Sequence, residues 1–196
     1  CLLAAFISPL ACAQVVSVET NSLMRLPNTA STLQLERLEV ADYGTLLIPS
    51  NVTEVTVGEL HLGREARIAI VPSEQTLAFK VRRAELSEGS QITARGAPGS
   101  FQKAARSGRN LNLQIHALNA PQLSVDARGG AGAPGFFGLD GANGQAPGCT
   151  WGQAGRGADG SDGSDGQPGA SGALVRLEVP RDYPADKIKV QVAGGA

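Results

Sequence analysis

Glycine recurs at every third position along two stretches of this chain, and no other feature restricts its fold so tightly. Gly132, Gly135, Gly138, Gly141 and Gly144 form the first run. Gly157, Gly160, Gly163, Gly166, Gly169 and Gly172 form the second. A period of three matches the polyproline II helix, which turns once per three residues and rises about 3.1 Å per residue. The glycines of a run then share one edge of an extended rod. An edge without Cβ atoms lets another backbone approach closely. The glycines are therefore read as a structural edge. Side chains at the other two positions, such as Asp159 and Ser161, are expected to face outward and tolerate change.

Between the runs lies a broken stretch, Gln145 to Arg156, which holds Cys149 and Trp151. Gly130-x-Gly132-x-x-Gly135 and Gly155-x-Gly157-x-x-Gly160 match a dinucleotide fingerprint in spacing. That mechanism needs a helix N-terminus aimed at a pyrophosphate, and more glycine follows here instead. Both matches are by-products of the triplet repeat.

Upstream, from Gln14 to about Asp126, apolar residues alternate with polar ones, which is the strand period. A loose repeat runs through this region. Leu33-x-Leu35-x-x-Leu38-x-Val40 leads through Gly44 to Leu46-x-Ile48. The same pattern returns at Val55, Phe79 and Leu113, with offsets of 22, 24 and 34 residues. Each unit reads as strand, bend, strand. The expected fold is all-β: a β-solenoid-like scaffold, or alternatively a β-sandwich, with a projecting glycine-rich polyproline II hairpin. The last two units both run out through Ala-Arg-Gly, at Ala94-Arg95-Gly96 and Ala127-Arg128-Gly129. The expected boundaries are residues 14–128 for the scaffold, 129–172 for the excursion and 173–196 for strands that rejoin the scaffold.

The Gly-x-y runs resemble those of bacterial exported collagen-like proteins, over roughly 45 residues. Two departures stand out: the runs are short and broken, and only Pro134 and Pro168 fall within them. The region also resembles the polyproline II bundles of the Obg fold and of snow-flea-type antifreeze proteins. The first resemblance implies a three-chain triple helix. The second implies rods packed within one chain. A flexible linker is the third reading of such composition.

Residues Cys1 to Ala13 are uncharged and apolar and end in Ala11-Cys12-Ala13. That is the form of a truncated secretory signal peptide, and lipidation of Cys12 is the alternative. The stretch is shorter than the roughly 20 apolar residues needed to span a bilayer. Export to the periplasm, the cell surface or the medium of a bacterium is the expectation. Cleavage would leave Cys149 as the only cysteine, able to pair only with another chain.

A net charge of −1, from 17 basic and 18 acidic residues, gives no basis for nucleic-acid binding. No catalytic or metal-ligating set is assigned and no cofactor is expected. His61 and His116 sit at polar positions of alternating segments and read as solvated sheet-face residues. Asp159, Asp162 and Asp165 read as an acidic edge. Asn51-Val52-Thr53 is a glycosylation sequon by pattern only. The candidate binding residues are Trp151 and Cys149, where the excursion reverses, with Phe136 and Phe137. An aromatic at a projecting tip stacks on sugars or buries in a partner, or else plugs the rod ends. Phe136 and Phe137 read first as packing of the excursion onto the scaffold. The partner classes left open are another protein, a surface glycan and a second copy. The functional expectation is a non-catalytic structural or adhesive surface protein. A glycan- or ice-binding module is the alternative, and a polysaccharide-cleaving enzyme ranks last.

Overall fold

A computed structural model describes residues 14–144 and 155–196. The proposed leader at 1–13, together with Cys149 and Trp151, lies outside the described residues. The chain is nearly all β, with twelve strands, one 3-10 turn at Ala185–Lys187 and no α-helix among the described residues. Among the described residues no helix is long and apolar enough to cross a membrane.

The strands are β1 (Val15–Val18), β2 (Leu23–Arg25), β3 (Thr32–Val40), β4 (Thr45–Ile48), β5 (Glu54–Leu62), β6 (Arg67–Ile70), β7 (Leu77–Leu86), β8 (Gln91–Thr93), β9 (Leu111–Asn119), β10 (Leu123–Asp126), β11 (Val175–Glu178) and β12 (Ile188–Gln191). Consecutive strands alternate between two sheets. The odd strands form one six-stranded sheet in the order β1-β3-β5-β7-β9-β11. The even strands form the other in the order β12-β10-β8-β6-β4-β2. Every strand pairing is parallel, and most connections are short corners, the exceptions being residues 94–110 between β8 and β9 and residues 127–174 between β10 and β11.

Register follows from the alternation. Leu33 pairs with Val55, Val55 with Phe79, Phe79 with Leu113 and Leu113 with Leu177. In the second sheet Leu46 pairs with Ile68, Ile68 with Ile92 and Ile92 with Val125. These stacks of like residues fill the space between the sheets, and all but Leu177 are buried. A one-residue slip would turn each aliphatic to solvent, so burial fixes the register. Each fully buried Leu or Ile contributes about 1.5–3 kcal/mol. The outer face is polar. Arg83 pairs with Glu59 at 2.8 Å and Lys80 with Glu54 at 2.7 Å. Such exposed pairs add only about 0–1 kcal/mol.

The long strands bend midway. Inward alternation breaks at Glu36, Gly58, Arg82 and His116, which drop out of the register and precede a second outward residue. That slip re-aims the following aliphatics, Leu38 and Leu60 among them, at the core. Gly58 is required at its bend, because an added Cβ would stand 2.5 Å from the Glu36 carbonyl oxygen.

The corners after the long strands also stack. Asn21, Tyr43, Glu65 and Gly89 occupy equivalent places, all with positive φ, and each of the first three donates its N–H to the corner that follows. Opposite corners meet at Arg109, which is fully buried. Its guanidinium donates to the carbonyls of Gln75 at 2.9 Å, Pro49 at 3.3 Å and Val52 at 2.5 Å. Burial lowers its pKa. One side chain thus ties three corner carbonyls from inside.

Candidate functional site: the glycine-rich extension

The extension leaves the second sheet after β10 and rejoins the first sheet at β11. Asp126, at the end of β10, is 3% exposed and anchors the exit. Its carboxylate accepts from the Arg128 Nε at 3.0 Å, the Arg128 Nη2 at 2.8 Å and the Arg128 backbone N–H at 3.2 Å. The Arg95 Nε lies 3.6 Å away. Arg95 and Arg128 are the arginines of the two Ala-Arg-Gly exits, so the sequence echo marks two arginines converging on one carboxylate. Burial alone would raise the Asp126 pKa. The hydrogen bonds and charge of Arg128, with the charge of Arg95, outweigh burial and hold it below its ordinary value.

Beyond this clasp several extended segments pack through their backbones. Gly96 and Gly99 donate to the carbonyls of Arg128 and Ala131, at 2.8 and 2.7 Å. Gly130 donates to Arg106 at 3.0 Å, and Gly108 to Ser171 at 3.1 Å. Gly129 and Gly132 donate to Ala193 and Ala196, both at 2.9 Å. The approaches are close enough that a Cβ at Gly96, Gly130, Gly172 or Gly195 would overlap a facing carbonyl.

Further out, only the two glycine-rich runs remain among the described residues, and they bond to each other every third residue. Ala170 donates to Gly130, Gln167 to Ala133, Ser164 to Phe136, Ser161 to Leu139 and Ala158 to Ala142, at 2.8 to 3.0 Å. One partner number rises by three as the other falls by three, so the runs are antiparallel. The glycines of each run face the other: a Cβ at Gly163 would stand 2.6 Å from the Phe136 carbonyl, and one at Gly160 would stand 2.7 Å from that of Leu139.

The expectation that Ser161 faces outward is corrected. Its hydroxyl accepts the Leu139 N–H at 3.1 Å, and the Ser164 hydroxyl accepts that of Phe136 at 3.0 Å. Asp159, Asp162 and Asp165 are exposed. Phe136 and Phe137 divide. Phe136 stands edge-on to Phe101, with ring centroids 4.4 Å apart, so it does meet the scaffold-side loop. Phe137 is 97% exposed and packs on nothing, which overturns its reading as base packing. Phe101 and Leu139, neither singled out in the sequence, join these two as exposed apolar side chains.

Comparison with known protein families, curated proteins and solved structures returns no match.

Other polar features read as structural. His61 pairs with Glu85 at 3.1 Å on the outer sheet face, and His116 lies at the strand bend. No group of metal-ligating side chains occurs among the described residues. The Asn51 amide donates to the carbonyls of Asn28 at 2.9 Å and Ala30 at 3.3 Å, which occupies the sequon side chain with corner bonding. One recess, about 810 Å³, is an open groove along the strand bends lined by Glu36, Arg37, Glu59 and Arg82.

Proposed function

We propose that this chain is an exported, non-catalytic structural or adhesive protein, built as a β-solenoid that carries a rigid glycine-rich polyproline II hairpin. Wholly parallel pairing between strands one corner-to-corner lap apart supports the solenoid over the sandwich. A sandwich pairs its strands largely antiparallel. The observation that carries the functional reading is the ladder between the two runs, repeating every three residues from Gly130–Ala170 to Ala142–Ala158. Its period is that of polyproline II, and a backbone tied at each turn holds its side chains out as a stiff projection. Phe137, displayed almost fully to solvent, and Leu139, about three-quarters exposed, are what such a projection offers to another surface.

The test replaces residues 133–167 with a short Gly-Ser linker and compares adhesion of coated beads to immobilised matrix proteins and glycans. Loss of adhesion, with the β-rich circular dichroism spectrum retained, is the expected result. Adhesion undiminished in the deletion would refute the role of the projection. Turnover of a defined polysaccharide, abolished by a single Asp or Glu substitution, would refute the non-catalytic reading.

A further inference from the structure

Among the described residues, the groove between the two runs is filled at its base and has no third segment beyond it. The filling segment is Gln191–Ala196. Gly129 and Gly132 donate to its carbonyls at Ala193 and Ala196, so it runs parallel to the outgoing run with a period of three. Gly195 donates to the Ala170 carbonyl of the return run at 2.8 Å. At Gly195 a side chain is excluded, since a Cβ would overlap the Gly130 carbonyl. The base is therefore a three-segment assembly in which the incoming segment offers the Ala193 and Ala196 carbonyls, three residues apart, to Gly129 and Gly132, and carries glycine at 195, where a Cβ would meet the Gly130 carbonyl.

The same groups continue outward. Gly135, Gly138 and Gly141 extend the donor row begun by Gly129 and Gly132, and their N–H groups have no acceptor among the described residues. The carbonyls of Gln167, Ser164 and Ser161 extend the acceptor row begun by Ala170, and they have no donor among the described residues. The three glycines and both serines are exposed. Two matched rows of backbone groups without partners among the described residues form a template for one more extended chain, as an unpaired sheet edge does for a strand.

We propose that the groove between residues 132–144 and 157–169 docks an extended partner peptide with glycine at every third residue, lying parallel to the outgoing run and continuing the track of Gln191–Ala196. The occupant is a polypeptide because the donors recur once per polyproline II turn, about 9.3 Å, where such a chain presents one carbonyl per turn. The proposal rests on the hairpin reading above.

The test uses the full chain labelled with 15N, and a synthetic peptide of six Gly-Pro-Ala repeats at millimolar concentration. The control peptide has six Ala-Pro-Ala repeats. The Gly-Pro-Ala peptide is expected to shift the Gly135, Gly138 and Gly141 amides saturably and to slow their hydrogen exchange about tenfold. The control should do neither. The Ala158, Ser161 and Ser164 amides report the hairpin itself. If these are protected while the three glycines ignore the peptide, docking is overturned and the hairpin stands. If these are unprotected in the free protein, both readings fall. Equal effects of the two peptides would overturn the glycine rule and the proposal with it.

Discussion

Ser164 and Phe136 hold each other by two hydrogen bonds. The Ser164 N–H donates to the Phe136 carbonyl at 3.0 Å, and the Phe136 N–H donates to the Ser164 hydroxyl at 3.0 Å. Ser161 and Leu139 repeat the pair at 2.9 and 3.1 Å. An antiparallel strand pair would form both bonds from backbone alone. Two runs that bond at every third residue bring only one N–H per three residues to a facing carbonyl, and the serine hydroxyl supplies the second acceptor.

Ser164→Ala should therefore weaken the projection without unfolding the scaffold. Loss of one exposed hydrogen bond costs about 1 kcal/mol. Amide exchange at Ser161 and residue 164 should quicken roughly fivefold, while core amides such as that of Leu60 stay unchanged. Unaltered exchange in the variant would show that the hydroxyl contributes nothing.

Arg109→Leu should cost about 3 kcal/mol of unfolding free energy, because it removes a fully buried side chain that donates to the carbonyls of Gln75, Pro49 and Val52. Arg109→Lys should recover less than half of that, since an ammonium cannot reproduce a planar fork of donors. Urea denaturation of both variants is the measurement. Wild-type stability in the leucine variant would remove the arginine from the account.

Asp126→Asn should loosen the base of the extension by about 2 kcal/mol, the loss expected for hydrogen bonds to a charged group. The sign of its pH dependence follows from a folded pKa lowered beneath the unfolded value of about 3.9. The contribution is complete above that value and is lost as pH falls through the folded pKa. Thermal melts should show a constant gap between wild type and variant from pH 7 to pH 5, closing below about pH 4. A gap that closes on raising the pH would contradict the Arg95–Asp126–Arg128 clasp.

Much of the scaffold was legible in the sequence because period-two burial is a local signal. The spacings from Leu33 to Val55, Phe79 and Leu113 reappear as strand register, and the doubled polar step at Glu36-Arg37 is the bend. The corners were less legible. Gly44 and Gly63 resemble left-handed turn residues, yet positive φ falls on Tyr43 and Glu65 beside them. The two glycines answer to space: a Cβ would stand 2.9 Å from the Ala41 carbonyl oxygen at Gly44 and 2.6 Å from the Asp42 nitrogen at Gly63. Arg109 gave no sign of burial, because its partners are backbone carbonyls 34 to 60 residues away, which no side-chain motif records. In the extension the triplet glycines announced close backbone contact. The inward role of Ser161 and Ser164 was hidden, since exposure and hydrogen bonding look alike in a polar repeat.

The most direct test of the projection compares Gly163→Val with Asp162→Val by amide hydrogen exchange at Ala158, Ser161, Ser164 and Gln167, at a protein concentration where the solution mass is known. Gly163 faces the Phe136 carbonyl so closely that even one carbon would stand 2.6 Å from it, whereas Asp162 is exposed. The predicted result is protection at all four amides in the wild type and in Asp162→Val, lost by at least about tenfold in Gly163→Val, with no dependence on concentration. Equal exchange in the wild type and both variants would contradict the account.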